Sequence, residues 1–439
     1  MTPMPAVLEH PASLLDSAPE TPAAFPAWFA DRQRAAWQRF LDLPTPKRGH
    51  EMWRFSSFKQ LDFAAFDKEG AGGLPAAIIE RSTALESPAA KFVFANDQLL
   101  HSESKLPAGV LCLPLAEALV SHGDLVREHF MKQDTRLGSA KWTALHEAHL
   151  SNGLFVHVPA NVEVEGSIEV FHWLSGENTA IFPHTLVVTG PNSKVRVVDY
   201  FQSANDRDPG LCIAVNDLIA GPGSKLDYLA IQAFNEKTKV IQVNETGVAK
   251  DASATGFILN TGAAWARNES LSRLEGEGSR SDMLSVSIPA REQEYDQRTF
   301  QHHVSPGAYS DLLYKNSLYD KSRTIFSGLI FVDEGAHRTD AYQTCRNLFM
   351  SEDAEANSMP GLEINADDVK CSHGSTSSAI SDDEIFYLRA RGIDPARARQ
   401  LIARGFSVEV IERLGDEKVE EMVLRFLDDK FAHIATGGA

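Results

Sequence analysis

Gly190-Pro-Asn-Ser-Lys-Val and Gly221-Pro-Gly-Ser-Lys-Leu differ at two of six positions and lie 31 residues apart. Each joins a turn signal to an alternating β segment, Lys-Val-Arg-Val-Val (194–198) in the first and Lys-Leu-Asp-Tyr-Leu (225–229) in the second. Weaker echoes stand at Glu165-Gly-Ser-Ile and Gly276-Glu-Gly-Ser-Arg, so the serines at 167, 193, 224 and 279 fall 26, 31 and 55 residues apart. The last gap is close to two periods. Strand–turn texture repeating at this interval marks a stacked solenoid, in which each coil buries its inward side chains against its neighbours. A parallel β-helix fits. A β-sandwich is the rival, because the repeat is loose and short strands occur there too.

Outward from the repeat, β texture begins near residue 153 with Leu-Phe-Val-His-Val (154–158) and Ser-Ile-Glu-Val-Phe (167–171), and stops near Ser375. The predicted order is a mixed N-terminal region (1–150), a β-helix core (151–378) and a helical C-terminal region (379–439). Residues 1–25, rich in Pro, Ala and Ser, are expected to be poorly ordered. A helix is predicted from Trp28 to the prolines at 44 and 46, with Phe29, Ala36, Phe40 and Leu41 on its apolar face. Glu51-Met-Trp-Arg-Phe-Ser-Ser-Phe reads as a packed linker. Short strands (Lys91–Phe94) and helices (Ala116–Val120, Lys141–Leu150) follow. Near the C-terminus, Ser381-Asp-Asp-Glu384 is a capping box opening a helix over 382–391 that Gly392 ends. Asp394-Pro395 opens a second, ended by Gly405, and Ser407 a third with Val410, Ile411 and Leu414 on one face. A last helix covers 416–431. This tail either folds back on the solenoid or presents an apolar groove to a partner.

Composition narrows the function. The chain has 439 residues, 43% of them apolar, and a formal charge of -18. That excess of acid argues against nucleic acid or an anionic membrane surface as the main partner. No apolar run approaches the roughly 18 residues that span a bilayer. The N-terminus lacks a basic stretch followed by an apolar one, so it does not read as a signal peptide. Four scattered cysteines (Cys112, Cys212, Cys345, Cys371) form no disulfide-like framework. The expected location is the cytoplasm.

Cys371 and His373 are the leading chemical pair. Two residues apart on a strand, they face the same side, with Cα atoms about 6.5 Å apart at a rise of about 3.3 Å per residue. They can converge on one ion, but open tetrahedral sites take three protein ligands, and no nearby Cys or His supplies the third. The missing ligands come from elsewhere in the fold or from another chain. The bland alternative makes Cys371 a small buried hydrophobe beside Val369. His302 and His303 are adjacent and point to opposite sides. His146-Glu-Ala-His149 misses the zinc-protease spacing by one residue. His337 and Cys345 are candidate extra ligands. No phosphate-binding glycine loop and no Gly-x-Ser-x-Gly elbow is present.

Asp340-Ala-Tyr-Gln-Thr, Asn347-Leu, Ser351-Glu-Asp-Ala-Glu-Ala, Leu362-Glu-Ile-Asn-Ala-Asp-Asp-Val-Lys-Cys-Ser-His-Gly and Phe386-Tyr-Leu-Arg-Ala-Arg-Gly-Ile together closely resemble the Suf iron–sulfur cluster assembly proteins. The likeness is to the D-type subunits. B-type subunits typically carry Glu-His-Glu-Ala-Thr where this chain has Cys371-Ser-His-Gly-Ser-Thr. Glu51-Met-Trp-Arg-Phe looks like the Glu-x-Trp-basic-aromatic segment of the D type. The resemblance is strong over 335–415 and weak before 150. Ser377-Ser-Ala-Ile departs from the usual Val-Gly-x-Ile/Leu, and Cys345 has no family role. The resemblance implies a right-handed parallel β-helix between N-terminal α/β and C-terminal helical parts. It implies a non-catalytic scaffold that pairs with a B-type subunit through the β-helix, with a homodimer as the assembly open to the chain alone. An ABC-type ATPase would bind the C-terminal helices, at Phe386, Tyr387, Arg391, Gly392, Ile402, Gly405, Phe406, Val410 and Ile411. No cofactor is held permanently. Transient iron or a nascent cluster would sit at the subunit interface, on His373 with Cys371 beside it. A β-helix carbohydrate-active enzyme and a metal-free adaptor are the alternatives.

Overall fold

The computed structural model describes residues 13–68, 77–133 and 135–436. Two ten-stranded sheets face each other, and from Leu154 onward the chain passes between them in coils. The architecture is mostly β, a solenoid of about eight turns with N-terminal helices and a C-terminal helical part. One ladder shows the period directly: Lys194, Lys225, Ser253, Arg280, Tyr309, Asp340 and Lys370 stand opposite one another in parallel register.

The corner before this ladder explains the sequence repeat. Asn192, Gly223, Asp251, Gly278, Gly307, Arg338 and Asp368 each adopt positive φ two residues before the ladder position. Most of their amides donate across to the next coil, as from Asn192 N to Pro222 O (2.9 Å) and Gly223 N to Lys250 O (2.9 Å). A β-carbon at Gly223 would come within 2.4 Å of Asn192 Oδ1, so the left-handed corner and the stacking both demand glycine there. The next residue is small and buried: Ser193, Ser224, Ala252, Ser279, Ala308 and Thr339. Ala252 fills the coil hidden in the 55-residue gap. Ser167 does not belong to the series. Ile168 pairs with Val197, so Ser167 lies level with Arg196, three positions from Ser193.

Each sheet has its outer face covered by helices. The helices Ala27–Asp42 and Ala140–His149 lie over the sheet that carries Ile213, Val215, Ile241, Val243 and Trp265. In the first of them Leu41 is 52% exposed, and Gln33 is buried instead. Its amide donates to the carbonyls of Glu147, Ala148 and Leu150 at the end of the other helix. The expectation of disorder over 1–25 falls outside the described residues for 1–12. Beyond them Leu14 is buried, and its backbone bonds both Phe66 O and His149 Nε2. The N-terminal region also contributes strands to the sheets. Ala90–Ala95 pairs in parallel with Ile168–Leu174, and Leu111–Pro114 pairs antiparallel with Leu154–Val158.

The C-terminal helices fold back on the outer face of the other sheet. Val410, Ile411, Met422, Val423, Leu427 and Phe431 pack with Tyr200, Leu229, Phe257, Leu284 and Leu313. Burial of each such side chain contributes about 1.5–3 kcal/mol. The Ser381 capping box forms, with Asp383 N donating to Ser381 Oγ (3.2 Å) and Ser381 N to Glu384 Oε2 (3.4 Å). Asp394 caps the next helix, but Gly405 does not end it. Pro395–Ile411 is one helix, because Gly405 sits on its open side and Ser407 Oγ donates back to Ala403 O (2.9 Å) instead of capping a new start. The last helix is Glu417–Ala435, capped by Asp416.

Candidate functional site

The solenoid stops with two strands that have a neighbour on one side only. Glu355–Ile364 ends one sheet and Lys370–Ala379 ends the other. Along Lys370–Ala379, register decides what faces the lumen. Cys371, His373, Ser375 and Ser377 stand opposite Ala341, Gln343, Cys345 and Asn347, which are all buried. Asn347 Nδ2 donates to Ser377 Oγ (3.1 Å), which fixes that side as the inward one. Cys371 and His373 therefore share a face, as their spacing predicts, and that face is the lumen at its open end.

The two side chains sit in different surroundings. Cys371 is half-buried against an apolar cluster of Ile330, Val332, Ala336 and Ala341. Burial pushes its thiol above the ordinary range, the nearby Asp340 carboxylate adds to this, and the Ala341 backbone opposes it. A neutral thiol is a poor ligand until a cation displaces its proton. His373 is exposed and has no hydrogen-bonding partner among the described residues. No group of three His, Cys, Asp or Glu side chains that could hold a metal forms among the described residues. The end of the solenoid thus offers two donors and an open edge.

The remaining sequence candidates are consumed structurally. His303 faces the lumen and bonds Ser310 Oγ (2.8 Å), whereas His302 faces out to Asp333 (3.0 Å). His337 lies in a corner against Asp367 O, away from the lumen-facing Cys345. In the helix Ala140–His149, His146 bonds Ile213 O, Glu147 pairs with Arg32 and Arg39, and His149 reaches Leu14 O.

The residues assigned to a partner divide into two groups. Phe386 and Tyr387 are 70% and 57% exposed on the helix Asp382–Arg389, and the Arg391 guanidinium lies 3.5 Å from the centre of the Tyr387 ring. Gly392 and Gly405 are also exposed, and Gly392 takes positive φ where the short helix ends. Ile402 and Phe406 are half-buried, with Lys315 Nζ over the Phe406 ring. Val410 and Ile411 are a correction. At 0% and 1% exposure they hold the tail to the solenoid and cannot face a partner. Helical periodicity located the apolar stripe correctly, but it cannot say what the stripe packs against.

Sequence reasoning missed the extension of the lumen face to Ser375 and Ser377, although period two from Cys371 contains it. It also missed why Glu51–Phe58 is packed: Trp53 lies parallel to Trp265, with the guanidinium of Arg267 3.7 Å from its ring centre.

The family description "SUF system FeS cluster assembly, SufBD core domain" matches residues 172–406, and "SufBD protein N-terminal region" matches 85–170. The Bacillus subtilis (strain 168) protein named iron–sulfur cluster assembly protein SufD is 27% identical over 92% of this chain and 94% of its own length. The Escherichia coli (strain K12) SufD is 35% identical over 56% of this chain and 58% of its own. The Bacillus subtilis SufB is 23% identical over 90% and 88%. The core match begins at His172, inside the first full coils, and runs through the final strand with Cys371 and His373 into the helix that docks on the solenoid. With the fold and that span in agreement, the chain belongs to the SufBD family of SUF-system iron–sulfur cluster assembly proteins.

Proposed function

We propose that this chain is a D-type, non-catalytic scaffold subunit that pairs with a B-type subunit through the open end of its solenoid. Iron or a nascent cluster is the cargo held there. His373 and Cys371 supply part of the ligand set, and the partner supplies the rest. The observation that carries this reading is the placement of both donors on the lumen face of an edge strand, where no group of three side chains that could hold a metal forms among the described residues. An edge strand exposes unpaired backbone N–H and C=O groups, which a partner's strand can satisfy. The similarity to proteins named SufD and SufB supports the choice of partner.

An ABC-type ATPase docks on the exposed aromatic pair Phe386 and Tyr387, with Arg391 stiffening Tyr387 from below. Two large exposed aromatics side by side on a short helix fit an anchor for a partner better than a solvated surface. The complex works in the cytoplasm, and no helix among the described residues is long and apolar enough to cross a membrane.

The test is anaerobic purification of the chain with its B-type partner and the ATPase, with iron and sulfide assayed. His373→Ala is expected to leave the complex assembled and to lower bound iron and sulfide about tenfold or more, as loss of one of few ligands does. A variant complex that carries clusters at the wild-type level sinks the metal reading and leaves the adaptor reading.

A further inference from the structure

Gln343 stands directly opposite His373 in the parallel ladder between Asp340–Phe349 and Lys370–Ala379, on the lumen face, and is 1% exposed. Neighbouring strands lie about 4.8 Å apart, so the two side chains are within reach of each other. Gln343 Oε1 is closed to solvent and accepts no hydrogen bond from the described residues. A buried carbonyl oxygen left in that state costs about 1–3 kcal/mol, and few native groups tolerate it.

The neighbours of that amide decide which of its ends is the oxygen. Gln301 Nε2 donates to Tyr342 O (3.0 Å) and to Ser310 Oγ (2.8 Å). A backbone carbonyl only accepts, so the Gln301 nitrogen is fixed at that end and its oxygen faces Gln343. That oxygen needs a donor, and Gln343 Nε2 supplies it at 3.3 Å. The unpaired end of Gln343 is therefore an acceptor. Gly328 makes room for the arrangement, since a β-carbon there would come within 2.5 Å of both Gln343 Nε2 and Thr299 Oγ1.

Gln301 lies one coil before Gln343, and His373 one coil after it. With the amide nitrogen turned back to Gln301, the oxygen is left for the last coil. Most lumen-facing side chains there have nothing to give it. Pro360 and Leu362 carry no side-chain donor, Ser358 Oγ is engaged with Cys345 Sγ (3.9 Å), and Ser375 stands level with Cys345, one pleat along. His373 is directly opposite, exposed and unpartnered. We propose, on the reading of His373 as a ligand for the iron cargo, that Gln343 is a positioning residue for it. When the ring swings inward, Gln343 Oε1 accepts the hydrogen of one ring nitrogen and turns the lone pair of the other to the open end. An imidazole that ligates through one nitrogen carries its hydrogen on the other, so an acceptor for that hydrogen fixes both tautomer and ring angle.

Ferrous iron alone, titrated anaerobically into the cluster-free complex of the full-length chain, its B-type partner and the ATPase, reads this role as an affinity and not as cluster assembly. Gln343→Leu is expected to weaken iron binding about tenfold or more. Gln343→Met, which keeps the length without the oxygen, serves where the leucine variant does not assemble. Gln343→Glu gives up the bond to Gln301 but keeps an oxygen toward His373, and is expected to bind iron nearly as the wild type does. A glutamine that only held the coils together would be damaged by the Leu and Glu changes alike, so equal losses overturn the proposal. In His373→Ala no ring remains to be held, and adding Gln343→Leu is expected to cost nothing further. A second full loss there also overturns it. Wild-type binding in Gln343→Leu beside weakened binding in His373→Ala removes the positioning role alone, whereas wild-type binding in His373→Ala removes the ligand reading and the positioning role with it.

Discussion

Asp199 shows how a buried carboxylate sets a pH dependence of the fold itself. It lies in the lumen, fully buried, with Oδ2 accepting from Thr185 Oγ1 and Tyr228 OH, both at 2.8 Å. Burial raises its pKa to about 7, and the two hydrogen bonds hold it back from going further. Its Oδ1 is 3.9 Å from Nε2 of His172, whose own pKa burial lowers to about 3. His172 is therefore neutral through the ordinary range and cannot compensate the Asp199 charge. The folded state holds a proton on Asp199 that the unfolded chain releases near pH 4, so this group's contribution declines as pH rises from about 4 through 7. Asp199→Asn keeps an oxygen for both hydroxyls and offers its amide to His172. The variant is expected to gain on the wild type by a few kcal/mol, order of magnitude, between pH 5 and 8. Urea unfolding at several pH values reads this. A difference that stays flat across that range means Asp199 does not titrate there.

Between the solenoid and the N-terminal region, one strap shows how an element is held by charge as well as by apolar area. Arg267 is completely buried and bonds Glu269, Asp296 and the carbonyls of Met52 and Leu137 while lying against Trp53. Its two carboxylate partners have no solvent to fall back on. Arg298 still pairs with Asp296, and Ser139 still donates to Glu269. Arg267→Met nevertheless removes the cation that the two buried carboxylates share, and the expected loss is about 3–5 kcal/mol. The carbonyls of Met52 and Leu137 lose their donor as well, so protease cutting within 51–58 should appear before the solenoid unfolds. Global unfolding with no early cleavage would mean that the strap is not a separate unit. This strap was legible in the sequence only as a packed linker, because Trp53 and Arg267 are far apart in the chain and follow no local period. The solenoid was legible for the opposite reason. Its corner needs positive φ, and a small buried residue follows it in each coil from Ser193 to Thr339. The sequence signal faded where alanine stands in place of serine at 252 and 308 and threonine at 339, and it misled at Ser167, where a serine stood off the ladder. The helix break assigned to Gly405 failed because an exposed glycine weakens a helix by about 1 kcal/mol and tertiary packing on Val410 and Ile411 overrides that.

At the scale of the molecule, the solenoid has two unlike ends. The first coils are joined by strands from the N-terminal region, whereas the last coil is left with both edges unpaired. The pair Cys371 and His373 was readable from spacing, but its place at this end was not, since nothing local marks which coil is last. Charge is distributed to match. Residues 351–384, which hold both edge strands, contain nine acidic residues and one lysine. Two copies meeting end to end would bring these charges together, and such repulsion is screened over a Debye length of about 8 Å at physiological ionic strength. Acidic edges are also a known defence against unwanted strand pairing. The chain alone is therefore expected to stay monomeric at low salt and to self-associate as salt rises, whereas a partner with a neutral or basic docking end binds without that penalty. Sedimentation of the purified chain between about 20 mM and 500 mM salt tests this, because surface repulsion weakens across that range. Dimers that are strongest at low salt would place attraction, not repulsion, at the contact, and would show that self-association uses a face other than the acidic end.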